Sequence, residues 1–327
     1  MNYGISGAGI VGTMTAILNS NQSTLTNLSE QLSTGQKSQS LSGYGESGRQ
    51  LLDLNSSIAA ANAYVSSADT VSTFLNGYNT TLTQLVSDAN QLSQGLSSLS
   101  DATNGTAAAS FASLVNGLQT DVSVTLNTPA GNRYLYSGTR YSTPPVQSIG
   151  SLPPLTSPAP FTAVTAPALP DYDTDAGTPG GNAAAWAQPS VTIAAGETIS
   201  YGISSNNPAI QQLVYAIQNA QAATNASNPE RSQYLSLAQN AVQQAVTGLQ
   251  ALQAQNGSNL SQVTAVETAQ KQSVTTLTNL LGNVQDADAT TVSAQISALQ
   301  TQMEASYKVT SSLLSLSLVN YLGTSTG

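Results

Sequence analysis

Asp171, Asp173 and Asp175 stand at alternating positions before Gly177. A calcium loop presents oxygen ligands at that spacing, with glycine sixth and glutamate twelfth. Here the glycine comes one residue late and the twelfth position is Asn182. The segment reads as an acidic, solvated loop, and no metal is assigned to it. Asp286 and Asp288 could share acid–base work only if one carboxyl lay in an apolar pocket. Both fall where a helix should begin, and the helix dipole favours anions there. Capping is therefore their reading. Tyr134, Tyr136 and Tyr141 cluster ahead of a proline-rich stretch and are expected to pack against it. No glycine-rich phosphate loop follows a strand pattern. The chain has no histidine and no cysteine, which removes Cys/His zinc sites, Ser–His or Cys–His catalysis and structural disulfides. Catalytic residues, cofactors and metals are all expected to be none, and the protein is read as no enzyme.

Charge is scarce. Among 327 residues, 7 are basic and 16 acidic, a net of −9, and only 7% are charged where about 25% is usual. Lys37, Arg49, Arg133, Arg140, Arg231, Lys271 and Lys308 are scattered, so nucleic-acid binding lacks its electrostatic footprint. Serine, threonine, asparagine and glutamine supply the polar faces. So neutral a surface suits a protein that lies against copies of itself. No run approaches the eighteen or so apolar residues of a membrane span. Met1 to Gly12 shows neither a basic n-region nor a cleavage site, so export is expected by a route that leaves no removable signal.

Elements long enough to organise such a chain are written in its periodicity. Eleven of the thirteen prolines fall between Pro144 and Pro208, dividing two helical stretches from a proline-rich middle. In the first stretch a seam runs Leu51, Leu54, Ile58, Ala61, Val65, Ala68, Val71, Leu75, Tyr78, Leu82, Leu85, Ala89, Leu92, Leu96, Leu99. Its steps alternate three and four, with one extra three near Val71, the mark of a long coiled-coil-like helix with a stammer. Such a helix is roughly 75 Å long at 1.5 Å per residue. A turn at Asp101–Gly105 and a helix with Phe111, Val115, Leu118 and Val122 on one face follow. In the second stretch Asn207-Pro208 and Asn228-Pro229 read as helix starts. Ile210, Val214 and Ile217 line the first helix. Val242, Ala245, Leu249, Leu252, Val263, Val266, Val274, Leu277, Leu281 and Val284 line a second long seam, with a kink expected at Asn256-Gly257. Between the stretches, Val191 to Ile203 alternates around Ala195-Gly196 as a β-hairpin. The middle carries four acidic residues and no cation and is expected to face solvent.

Each end adds an amphipathic stripe: Met14, Ile17, Leu25, Leu28 and Leu32 at the start, Val292, Ile296, Leu299, Met303, Thr310 and Leu313 at the finish. Neither is stable alone, so the two ends are expected to meet. The fold class is mainly α, a long antiparallel coiled-coil-like bundle with paired terminal helices and a small β-containing, proline-rich insertion. The expected domains are residues 1–42 with 288–327, residues 43–140 with 206–287, and the insertion 141–205.

Several short segments, in this order, resemble the flagellin superfamily. Leu32-Ser33-Thr34-Gly35-Gln36-Lys37 is similar to its Leu-Ser-x-Gly-x-basic segment after the first helix. Asn283-Val284-Gln285-Asp286-Ala287-Asp288 resembles the Asp-Ala-Asp step that opens its last helix. Arg133-Tyr134-Leu135-Tyr136-Ser137-Gly138-Thr139 followed by Thr143-Pro144-Pro145 is similar to a Tyr-Leu-Phe-x-Gly-Thr…Pro-Pro segment, most common among hook–filament junction (hook-associated) proteins. The ending Leu316-Ser317-Leu318-Val319-Asn320-Tyr321-Leu322 also looks more like a junction protein than a filament flagellin. Ser42-Gly43-Tyr44-Gly45-Glu46 departs from the family's Asp-Asp-Pro or Asp-Asp-Ala step, which puts that loop's contacts in doubt.

The resemblance implies a structural subunit of the bacterial flagellum that associates with itself through its terminal helices. It also implies partners: flagellin, another hook-associated protein and an export chaperone, with no nucleic acid and no membrane. Export would be through the flagellar type III channel to an extracellular position. Filament flagellin is the alternative within the family. A coiled-coil effector or translocator of a related type III machine is the alternative outside it, and the Tyr134–Thr139 segment argues against that. A solitary helical binding module would predict charged outer helix faces, which are absent.

Overall fold

The computed structural model describes residues 7–100, 105–139, 141–142, 144–146, 148–152, 155, 157–160, 187–227 and 229–323. The Asp171–Asp175 run, Thr143, Asn228 and the turn at residues 101–104 lie outside these. Six helices dominate: α1 (Gly7–Thr34), α2 (Ser47–Ser100), α3 (Gly105–Leu126), α4 (Pro208–Asn225), α5 (Glu230–Gln285) and α6 (Ala289–Gly323). Four short strands make two antiparallel hairpins, β1 (Pro129–Ala130) with β2 (Arg133–Tyr134) and β3 (Ser190–Ala194) with β4 (Glu197–Ser200). The chain divides into two compact units, residues 1–60 with 273–327 and residues 61–272.

In the 61–272 unit the α2 seam is the inner face of a bundle. Ala61, Ala68, Val71, Leu75, Tyr78, Leu82, Leu85, Ala89, Leu92, Leu96 and Leu99 are all buried. One core joins the later part of this seam to Phe111, Val115, Leu118 and Val122 of α3, Ile210, Leu213, Val214 and Ile217 of α4, and Val242, Ala245 and Leu249 of α5. Close approach needs small residues. A Cβ on Gly95 would stand 2.5 Å from Leu114 Cδ2, and one on Gly248 2.6 Å from Ala209 Cβ. Asn207 caps α4 as its sequence suggests, with its Oδ1 accepting from the Ala209 N–H at 3.0 Å and Pro208 in the first turn.

Two expectations change. α5 runs unbroken through Asn256-Gly257. Asn256 is buried, and its Nδ2 donates to the Leu75 carbonyl of α2 at 2.8 Å. It fills the seam position between Leu252 and Val263 that apolar periodicity leaves empty. The described part of the proline-rich middle does not simply face solvent either. Ile193, Ile199 and Tyr201 are buried against Ala68, Val71 and Leu75 of α2 and Val263 of α5. Strands β3 and β4 alternate, with Thr192 and Thr198 on the open side, so the acidic composition describes only one face of the hairpin.

The outer helix faces satisfy themselves. Thr70 Oγ1 donates to Ser66 O at 2.8 Å, Thr264 to Leu260 O at 2.8 Å and Thr268 to Thr264 O at 2.8 Å, each one turn back. Inside the bundle one carboxylate breaks the pattern. Asp88 is 1% exposed; Gln84 Nε2 donates to its Oδ1 at 2.8 Å, and Oδ2 has no partner. Burial pushes this carboxyl up to about 6, against the pull of the Gln84 hydrogen bond and with a further push from Asp121.

Two outcomes follow for melting of the purified protein. Leu82 is fully buried, so Leu82→Asp puts an unpaired carboxylate in the seam at a cost of several kcal/mol. The cooperative transition of the bundle should disappear, and a mutant that melts like the parent would show that α2 is not packed this way. Asp88 has a raised native pKa, so its ionisation opposes folding above about pH 6. That penalty fades as pH falls from there toward the ordinary carboxylate value. Asp88→Asn should raise the melting temperature at pH 7 by an amount worth about 1–3 kcal/mol and flatten the profile between pH 4 and 6. An unchanged profile would contradict the burial.

Candidate assembly site

In the unit of residues 1–60 and 273–327, α1 packs against α6. The ends meet, as two unpartnered stripes require. Met14, Leu18, Asn21, Leu25 and Leu28 are half-buried in four–three steps along α1. On α6, Val292 and Met303 are buried, and Ile296, Leu299 and Thr310 are half-buried. Ile17 and Leu32 remain 45% and 43% exposed. Asn21 occupies a seam position, so the true heptad is partly polar and the apolar stripe read from sequence drifts off it at both ends. The Leu313 side chain lies outside the described set.

Where α1 ends, the chain is tied to the junction of α5 and α6. Gly35 takes φ 71°, and its N–H donates to Gln31 O at 2.9 Å, closing α1 with a left-handed residue. Gln36 and Asp286 then pair as an antiparallel bridge: Lys37 N–H donates to Gln285 O at 2.9 Å and Ala287 N–H to Gly35 O at 2.8 Å. Lys37 Nζ donates to the carbonyls of Asn283 at 3.0 Å and Val284 at 2.8 Å. Those carbonyls are among the unpaired acceptors at the negative end of α5, where a cation is favoured. Asp288 caps α6, with Oδ1 accepting from Thr290 N–H at 2.9 Å and Oδ2 from the Thr291 hydroxyl at 2.8 Å. The Thr291 hydroxyl, then the Thr291 and Thr290 amides, hold this carboxyl below its ordinary value. Asp286 does not share the cap; its N–H closes α5 on Gly282 O at 2.8 Å. Ser33 is exposed one turn earlier.

The Tyr134–Thr139 segment is built into the 61–272 unit. Tyr136 is fully buried, its hydroxyl 2.8 Å from Thr81 Oγ1 and its ring edge-on to Tyr78 at 5.4 Å between centroids. The Tyr78 hydroxyl donates to the Leu135 carbonyl, and burial pushes it up to about 12. Leu135 is buried beside Gly77, where a Cβ would come within 3.2 Å of it. Ser137 Oγ donates to Tyr134 O at 2.8 Å, Gly138 turns the chain at φ 61°, and Thr139 is exposed beyond it. Pro145 is buried and Pro144 exposed. Arg133 stood in the sequence as one of the scattered cations and as the residue that opens this segment. Its guanidinium lies 3.6 Å from the Phe74 ring centroid, with Tyr141 and Tyr201 each 5.4 Å away. Only the tyrosine cluster of this segment signalled an aromatic environment. These groups clamp segments together; none is poised to react.

Residues 239–322 match the bacterial flagellin C-terminal helical region. That stretch holds most of α5, the Asp286–Asp288 crossover and α6. The chain thus carries a flagellin-like helical region. Its fold is also that of a protein from Vibrio parahaemolyticus assigned as a flagellar hook-associated protein. The superposition covers 75% of this chain and 100% of that one, at 14% identity and a TM-score of 0.54. No curated protein matches it in sequence.

The crossover depends on one positive-φ residue, Gly35. Gly35→Ala should destabilise the turn by about 1 kcal/mol. Hydrogen exchange at the Lys37 and Ala287 amides should quicken, while amides in the middle of α2 stay as slow as before. Unchanged exchange at those two amides would mean that the bridge does not depend on Gly35.

Proposed function

We propose that the protein is the hook–filament junction subunit, associating with its own copies through the terminal helices and connecting the hook side to flagellin. What carries the reading is the fold shared with the hook-associated protein over the whole of that chain. The Tyr134–Thr139 segment and the ending Leu318–Leu322 support it. Residues 1–42 with 288–327 are the self-association region, residues 43–140 with 206–287 the long-helix bundle, and residues 141–205 the outer insertion.

The physical support for association lies in where apolar surface is left. Ile17, Leu32, Leu41, Leu52, Leu280, Tyr307 and Val309 are exposed in the unit of residues 1–60 and 273–327. The described part of the 61–272 unit exposes only Val124 and Tyr141 among large hydrophobics. Met14, Leu25, Leu28, Val292, Ile296, Leu299 and Met303 hold the α1–α6 pair together. The apolar side chains outside that seam are the ones a neighbouring copy would cover. Export unfolded through the flagellar type III channel, with a chaperone to cover the terminal helices, belongs to the same reading. So does the exclusion of nucleic acid and membrane as partners: cations are scattered, and no described helix is long and apolar enough to cross a membrane.

Filament flagellin is the second reading, favoured by the match of residues 239–322 to a flagellin C-terminal region. The two readings differ in closure. A filament subunit binds itself head to tail without limit, whereas a junction subunit needs two different neighbours and forms one layer. Deletion in the native host separates them. With a junction subunit, hooks persist, flagellin leaks unpolymerised into the medium, and the purified protein alone grows no long filaments. Long filaments from the pure protein, or filaments attached normally in the deletion strain, would move the assignment to flagellin.

A further inference from the structure

A cavity of about 420 Å³ lies between α4, the start of α5 and the loop that follows Gly150. Leu152, Leu155 and the Tyr234 ring give it apolar walls, while Gln218, Gln221 and Asn225 of α4 give it neutral polar ones. Gln218 is 5% exposed, and neither the oxygen nor the nitrogen of its amide has a partner. Burying both ends of an amide unpaired is costly, and such groups normally find a mate. Gln221 accepts from Gln119 through its oxygen. Tyr234 donates its hydroxyl to Leu155 O at 3.3 Å. The unmet demand therefore centres on Gln218: one donor and one acceptor, side by side and uncharged.

We infer that this cavity receives a neutral amide or hydroxyl side chain from a second copy of the chain. Only a group that donates and accepts at once, as water does and as an amide or hydroxyl side chain does, satisfies both ends of the Gln218 amide. A lone cation or anion serves one end, and the Glu230 carboxylate at the cavity wall repels an anion. This chain's own surface supplies the required chemistry in abundance, because 7% of its residues are charged and its polar faces are amide and hydroxyl. The contact belongs to the 61–272 unit and adds to the one proposed for the terminal helices. It rests on the reading of the protein as a self-associating flagellar subunit.

The test uses full-length protein in its own host, with the photo-crosslinker benzoylphenylalanine at the cavity-lining position Ala226. Irradiated flagella should yield a covalent dimer of this chain, mapped by peptide sequencing to Ala226. Protein present on the flagellum without such a dimer, or joined there only to a different protein, overturns the inference and leaves the functional reading standing. Protein absent from the flagellum overturns both. Gln218→Met supplies a second arm. It should leave the melting temperature of the monomer unchanged or higher while lowering the amount retained on flagella about tenfold. A lowered melting temperature would show that the amide is satisfied within the chain, and undiminished retention that no neighbour uses it; either result overturns the inference.

Discussion

Two helices of 54 and 56 residues are held by an apolar stripe one or two side chains wide. Everything else in the chain is arranged around that constraint. Among the described residues charge pairs are few: Lys271 pairs with Glu267 one turn back on α5 and also feels the Asp69 carboxylate of α2. Register in the 61–272 unit comes instead from features that interrupt the stripe. Asn256 reaches the Leu75 carbonyl, and Gln253 Nε2 donates to Thr83 Oγ1 at 2.9 Å. A polar residue at a seam position trades stability for a single alignment. The stammer near Val71 lies just before Leu75, and the hairpin of β3 and β4 covers that stretch. The irregular part of the seam is thus the part that receives a third element.

The two units spend their apolar surface differently. In residues 61–272 four helices and a hairpin converge on shared cores, and few large hydrophobics are left outside. In the terminal unit each of α1 and α6 offers the other only a narrow seam, with Tyr307 and Val309 standing beside it at 52% and 48% exposure. A helix pair is a thin object and cannot surround its own apolar residues. Its stability as a lone pair is accordingly modest, and any added neighbour is a direct gain.

Much of this was legible in the sequence because apolar periodicity is a strong signal over fifty residues. The α2 seam from Leu51 to Leu99 and the α4 cap at Asn207 could be read residue by residue. The same method failed wherever a polar residue took a seam position. Asn256 looked like a kink, Asn21 displaced the stripe of α1, and Asp88 gave no signal of its burial. Periodicity counts hydrophobicity, whereas position is set by geometry, and a polar side chain that finds a carbonyl or tolerates protonation can occupy an inner site. The proline-rich middle misled for a related reason. Net charge averages over both faces of a strand, and Ile193 and Ile199 are invisible in that average. Arg133 lay largely beyond the method: Tyr141 belongs to the nearby tyrosine cluster, but Phe74 and Tyr201 come from distant parts of the chain.

The back-bonded hydroxyls of the outer helix faces have a consequence for the medium in which the protein works. Thr70, Thr264 and Thr268 direct their donors inward to their own helices, and the surface carries little charge for counterions to screen. Contacts between such faces rest on shape and on displaced water rather than on charge pairs. Where two of them meet, charge screening by added ions therefore removes little of the attraction, and what a salt changes is the strength of apolar burial itself.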